Sequence, residues 1–488
     1  MSDFKGGLLT MKRLQQLFQN QNRVSDKLPT KKRFDVRYWF LGFAIPIVLI
    51  AIFPRYGDLN SHTNVTKSAY AFNDSTRATT HIDALRGKDN VLMVMAFSGG
   101  GSRAAYLSGS VMLGMQDVVD GVDLLQEVDG MSSVSGGSLP AAYYGISVDP
   151  GMDGADARVW DEPTVKELMT RNYIARWFGN WFWPWNIVRY WLTAWDRTDI
   201  MAQTMADNLY DTPSNGNDLT LGNLRDDRPF LVLNATNGSS EDGDFGRLFT
   251  FTDEQFSELN SDINQYELAR AVMGTATFPS VFSYMTIKDC SDAVDQSCKE
   301  NHNQEDRYVH IFDGGNFDNL GLTTASIMID YAVKEYGDID AVVVILVDAY
   351  TGKSGVSKTV SDSRGFMDFI VDTNFIDASS SLLSANRNVQ LARFSDTLKT
   401  QLEGAGIDQG RGLFYHITLD DIGDPVLRTR LKDISTNFFI SEENAGYIDQ
   451  AMAQLMTPDN HCLVSAAEII QGGQRSGDFD CRYITKSN

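Results

Sequence analysis

Apolar positions in this chain fall into short unbroken runs, separated by stretches in which they recur at helical spacing. Val91–Phe97 is continuous and apolar, the pattern of a strand covered on both faces. Behind it Ala104, Leu107, Val111 and Met115 repeat at three- to four-residue intervals, which predicts a helix. A second short apolar stretch leads to Ser135, and another helix-like run follows it. Phe230–Thr236, Tyr308–Phe312, Ala341–Asp348 and Leu413–Leu419 are further strand candidates. Ala341–Asp348, the most apolar, reads as a central strand of a parallel sheet. Residues 365–404 and Thr436–Met456 read as helical. Polar stretches at 57–90, 146–160, 237–247, 288–306 and 351–363 read as linker or loops. Strands alternating with helices predict an α/β fold.

The joints between these elements carry the candidate chemistry. Gly99–Gly101 follow the first strand, and Ser135 follows the second with Gly136 and Gly137 directly behind it. A nucleophilic serine needs a sharp strand-to-helix turn with small neighbours. The oxyanion formed by its attack needs N–H groups aimed at it in advance, and a triple glycine can line such a hole. Each turn alone could equally be a loop or a phosphate cradle. Two of them about 35 residues apart, each between strand and helix, favour acyl transfer.

Gly99-Gly100-Gly101-Ser102-Arg103-Ala104, Ser133-Val134-Ser135-Gly136-Gly137 and Asp313-Gly314-Gly315 together resemble the motifs of the patatin-like phospholipases. Ala104 and Ser133 stand where that family has glycine, and Ser133 adds a hydroxyl near Ser135. The resemblance covers roughly residues 90–350, and more loosely continues to about 456. It implies a three-layer α/β/α sandwich around a mainly parallel sheet. It implies a metal- and cofactor-independent lipid acyl hydrolase in which Asp313 takes the proton of Ser135 directly. It places Gly99, Gly100 and Gly101 in the oxyanion hole and Arg103 at the family's basic position, where it steadies the loop or meets a lipid head group. On its own, an Asp-Gly after a strand is a common turn.

A histidine-based triad competes with this dyad. The order Ser135, Asp348, then His416 or His461, is that of an α/β-hydrolase. His416, however, sits within a strand pattern rather than on a loop. A non-catalytic, membrane-anchored lipid-binding protein is the alternative from another class. No Cys-x-x-Cys or His-Glu-x-x-His spacing suggests a metal site.

Charge and hydropathy change the picture at the N-terminus. The chain carries a net charge of −22, yet residues 1–37 hold nine Lys/Arg against three Asp/Glu. So acidic a body argues against nucleic-acid binding. Tyr38–Phe53 is sixteen residues without a charge, short of a full span of about 20, but Arg37 and Arg55 can snorkel. The expected organisation is a basic cytoplasmic segment (1–37), a transmembrane anchor (38–56), a linker (57–89), a catalytic domain (90–456) and a C-terminal extension (457–488). The positive-inside rule places the body outside the cytoplasm, in the periplasm if the host is bacterial. All four cysteines lie beyond the span. Local pairing would give Cys290–Cys298 and Cys462–Cys481, one of three connectivities.

One region stands apart. Residues 177–195 contain six of the eight tryptophans, within an expected helical insertion at about 173–208. Such a cluster either meets a bilayer or an acyl chain, or packs a helical subdomain onto the core. Pro184 divides it into separate helices. A further helix is expected through Asn208, with Asp199 as its cap.

Overall fold

The computed structural model describes residues 81–85, 90–152, 158–210, 218–240, 243–279, 281–291, 307–351 and 373–486, with backbone alone for 373–384. The predicted span Tyr38–Phe53, Cys298, and most of the linker lie outside the described residues. Among the described residues no helix is long and apolar enough to cross a membrane.

The fold is mixed α/β, with a central sheet flanked by helices. Among the described residues nine strands form the sheet: β1 Val91–Phe97, β2 Gly130–Val134, β3 Phe230–Asn237, β4 Leu248–Phe251, β5 Met285–Asp289, β6 Arg307–Asp313, β7 Ala341–Asp348, β8 Gly412–Thr418 and β9 Asp480–Cys481. Their order is β5-β6-β3-β2-β1-β7-β8-β9, with β4 beside β3. The run from β3 to β9 is parallel, and the antiparallel pairings are confined to the β3–β6 edge.

The pattern of β1 shows why the sheet is buried. Val91, Met93, Met95 and Phe97 enter one core and Leu92, Val94 and Ala96 the other. Burial of each large side chain contributes about 1.5–3 kcal/mol. The first face is covered by α1 (Gly101–Met115), α2 (Ser138–Ile146) and, further along, helices of the second half. An aromatic-rich insertion follows α2 as α3 (Tyr173–Trp181), α4 (Pro184–Leu192) and α5 (Arg197–Met205). Then come α6 (Leu268–Thr275), α7 (Leu322–Glu335), α8 (Thr373–Ala405), α9 (Glu442–Leu455) and α10 (His461–Ile470). Helices α7 and α8 cover the second face, and α1, α2, α3, α5, α6, α9 and α10 contribute to the core of the first.

Several local expectations change. Strands β4 and β5 escaped the sequence pattern because they are short and only alternately buried. The cap of α5 is Asp196, whose carboxylate accepts from the Thr198 N–H at 2.7 Å. Asp199 completes the capping box by accepting from the Asp196 N–H at 2.8 Å. That α-helix stops at Met205 and continues as a π-turn over Ala206–Tyr210. The Cys462–Cys481 disulfide is formed, with Cα atoms 5.7 Å apart, and ties α10 to β9.

Candidate active site

The parallel strands end at one edge of the sheet, and chain direction splits there. From β1 the sheet grows through β2 and β3 on one side and through β7 and β8 on the other. Crevices at such a switch point, beyond the carboxyl ends of the strands, are where open α/β sheets bind ligands. The triple-glycine loop leaves β1 at that point.

Ser135 follows β2 with φ of 51°, a left-handed conformation that strains any residue with a side chain. The turn is held from behind. A Cβ on Gly136 would lie 2.0 Å from the carbonyl oxygen of Gly101, so the two loops touch backbone to backbone. Gly101 itself has φ of 59° and opens α1. Ser133 does not supply a second hydroxyl to the site. Its Oγ lies 3.4 Å from the Val232 carbonyl and accepts from Ser138 Oγ at 3.1 Å, within the buried interior.

The three glycines are not equivalent. The Gly99 N–H donates to the Asn319 carbonyl at 3.0 Å. The Ser102 N–H donates to the Asn437 carbonyl at 2.6 Å. Among the described residues the N–H groups of Gly100 and Gly101 have no acceptor. They sit at the positive end of α1, which favours an anion. Of the expected three amides, two are available and the first is spent on holding the loop.

Arg103 is buried beneath this loop. It donates through Nε to the Ala349 carbonyl at 2.8 Å and through a terminal nitrogen to the Ile434 carbonyl at 2.5 Å. Burial pulls its pKa down to about 10, against the pull of Asp348. Its bonds pin the glycine loop to the ends of two other segments.

Asp313 closes β6. It pairs in register with Ala235 of β3, whose neighbour Asn234 pairs with Val134 of β2, so Asp313 and Ser135 reach the same level of the sheet. Asp313 Oδ1 accepts the Gly315 N–H at 2.7 Å. Burial raises its pKa to about 6, while hydrogen bonds from Gly315 and from the Ser135 side chain hold it down. No ion pair to Asp313 exists among the described residues.

Ser135, Asp313, Arg103 and the three glycines line one cavity of about 420 Å³. That volume lies within the range of small-molecule sites. Its far wall is apolar, built from Ile174, Trp177, Met201, Phe278, Phe282 and Phe438. Helix α3 of the tryptophan-rich insertion thus contributes directly. Asn319 and Asn437 also line the cavity and shape the loop, and sequence reasoning missed both. Asn319 lies six residues beyond Asp313 with no motif to mark it, and Asn437 is more than 300 residues from the glycines it holds.

The rival triad residues lie elsewhere. His416 Nε2 is 3.0 Å from Asp348 Oδ2, so that pair does form. But Asp348 ends β7 and His416 is within β8, while Ser135 follows β2, three strands from β8. At about 4.8 Å per strand the separation is roughly 14 Å, too far for proton transfer. Asp348 also binds Arg387 at 2.8 Å. His461 opens α10 and stacks edge-on with Tyr483, centroids 5.7 Å apart.

Residues 95–326 match the family model for patatin-like phospholipase. No curated protein matches the chain significantly. Among solved structures, the human GIVD cytosolic phospholipase A2 aligns at 12% identity over 54% of this chain and 43% of its own, with a TM-score of 0.31. VipD from Legionella pneumophila aligns at 10% identity over 87% and 73%, with a TM-score of 0.28. The chain therefore spans less than half the length of the human enzyme.

Proposed function

From the premise that residues 95–326 are a patatin-like phospholipase domain, we propose that this chain is a lipid acyl hydrolase working through a Ser135–Asp313 dyad. One observation carries the reading. Ser135 on a strained turn, the buried Asp313 carboxyl of raised pKa, and Gly100 and Gly101, whose N–H groups have no acceptor among the described residues, line a single largely apolar cavity.

In the proposed cycle Asp313 takes the proton from Ser135 Oγ as that oxygen attacks the ester carbonyl. The N–H groups of Gly100 and Gly101 receive the developing oxyanion. Collapse of the tetrahedral species breaks the ester bond, and Asp313 returns its proton to the leaving alcohol. A water then attacks the acyl-enzyme, giving its proton to Asp313. The fatty acid departs and Ser135 recovers its hydrogen. The acyl chain lies along the apolar wall from Ile174 to Phe438. Arg103 positions the loop and does not meet the reacting atoms.

The same proposal retains a three-layer sandwich architecture and an N-terminal anchor that holds the domain outside the cytoplasm, with membrane lipid as substrate. The direct test is labelling by a fluorophosphonate probe. Wild-type protein should be modified at Ser135, and Ser135→Ala should lose both labelling and ester turnover while keeping its fold. Undiminished ester hydrolysis by Ser135→Ala would refute the assignment.

A further inference from the structure

The tryptophan-rich insertion splits into two populations. Trp177 and Trp195 are buried, Trp177 with its indole N–H on the Arg197 carbonyl at 2.9 Å. Helix α4 behaves in the opposite way, and none of its residues is buried. A helix on a soluble protein turns its apolar stripe inward. In α4 the inward positions are Asn186, Arg189 and Tyr190. Asn186 donates to the Asn180 carbonyl at 2.8 Å, and the Arg189 guanidinium lies 4.2 Å over the Trp195 ring. The outward stripe is Trp185, Val188, Trp191 and Leu192, prolonged by Phe182 and Trp183 just before the helix. Phe182, Trp183 and Trp185 are 71%, 65% and 64% exposed. Water gives no reason for this orientation, since exposure of such side chains forfeits about 1.5–3 kcal/mol each.

Two further observations name what covers the stripe. The first is charge. From Leu168 to Trp195 there is no Asp or Glu, in a protein of net charge −22. Arg171 is paired with Glu167 at 2.8 Å and Arg189 is turned inward, which leaves the exposed Arg176 beside a stripe that carries no carboxylate. An indole-rich face free of carboxylates, on an otherwise acidic body, is the part of the molecule least repelled by an anionic bilayer surface, where tryptophan prefers to sit. The second is continuity with the cavity. Aromatic rings step inward from α4: Tyr190 to Trp181 at 5.5 Å, Trp181 to Trp177 at 5.2 Å, then Trp177 to Phe282 at 5.3 Å. Trp177 and Phe282 are already cavity wall.

We propose that the outward face of α4, with Phe182 and Trp183, is a docking surface for an anionic lipid bilayer, and that lipid passes along this aromatic ladder into the cavity. The passage rests on the hydrolase reading, whereas the docking stands without it. Insertion is at the depth of the headgroup–acyl boundary, as for an interfacial helix.

The test uses the full chain in vesicles of phosphatidylethanolamine and phosphatidylglycerol, so that any N-terminal anchor is common to all samples. An environment-sensitive label is placed at Val188→Cys, and separately at Val426→Cys, an exposed control 62% accessible. A spin label on the lipid chains should quench the first several-fold and leave the second unchanged. Equal quenching at both sites overturns the proposal. So does protection of position 188 without lipid, which would mean a second copy of the chain covers the face. A Trp185→Glu/Trp191→Glu variant should lose about tenfold or more in hydrolysis of vesicle phospholipid and keep its turnover of a soluble short-chain ester. Equal losses on both substrates would also overturn it. If no ester is cleaved by any version while position 188 still enters lipid, docking stands and the hydrolase reading falls.

Discussion

Two buried aspartates end strands of this sheet, and their surroundings push them in opposite directions. Asp348 closes β7. Burial alone would raise its pKa, but the hydrogen bond and charge of His416, with Arg387 beside them, outweigh it and hold the carboxyl at about 2. Asp313 closes β6 with no cation paired to it among the described residues, and burial lifts it to about 6. The first carboxylate is locked in its ionised form and serves the fold. The second exchanges its proton near neutrality, which is where a general base works best. Burial is common to both, so the partners decide which aspartate can do chemistry.

The comparison predicts effects of different kind. The largest is catalytic. Asp313→Asn should lower kcat/KM for an ester by about 10²–10⁴-fold, as removal of a general base does. Its stability should move the other way. A folded pKa of about 6 against an ordinary value near 4 means that stability from protonated Asp313 is full at low pH and is lost as pH rises through about 6. At pH 7 the ionised group therefore costs about 3 kcal/mol, and the asparagine should unfold at higher denaturant concentration than wild type.

Asp348 should show the reverse sign. Its depressed pKa contributes stability above about pH 4 that is lost as pH falls toward 2. Arg387→Met strips the buried carboxylate of a guanidinium partner and should cost about 3–5 kcal/mol in chemical denaturation. Activity per folded molecule should change little. A kcat/KM loss in folded Arg387→Met as large as that of Asp313→Asn would erase the distinction between the two sites.

What the sequence disclosed follows from where each signal resides. Strands β1 and β7, buried on both faces, write unbroken apolar runs, so a parallel α/β sheet was readable. The glycine loop and the turns at Ser135 and Asp313 stood out in the sequence because turn signals are local. The availability of the amides was not. Gly99 looks identical to Gly100 in sequence, yet its N–H is consumed by Asn319, a contact made only by folding. Nor could the sequence separate Asp348 from Asp313, since the partners of Asp348 lie 39 and 68 residues away on other elements. The tryptophan cluster offered core and membrane as alternatives. The structure divides it, with Trp177 and Trp195 inside and Trp183, Trp185 and Trp191 exposed.

The most direct measurement is the rate at which a fluorophosphonate modifies Ser135 as a function of pH, in wild type, Asp313→Asn and His416→Ala. The dyad requires an acid limb near pH 6 in the wild type, the same limb in His416→Ala, and slow labelling at every pH in Asp313→Asn. A limb that survives in Asp313→Asn and disappears in His416→Ala would contradict it.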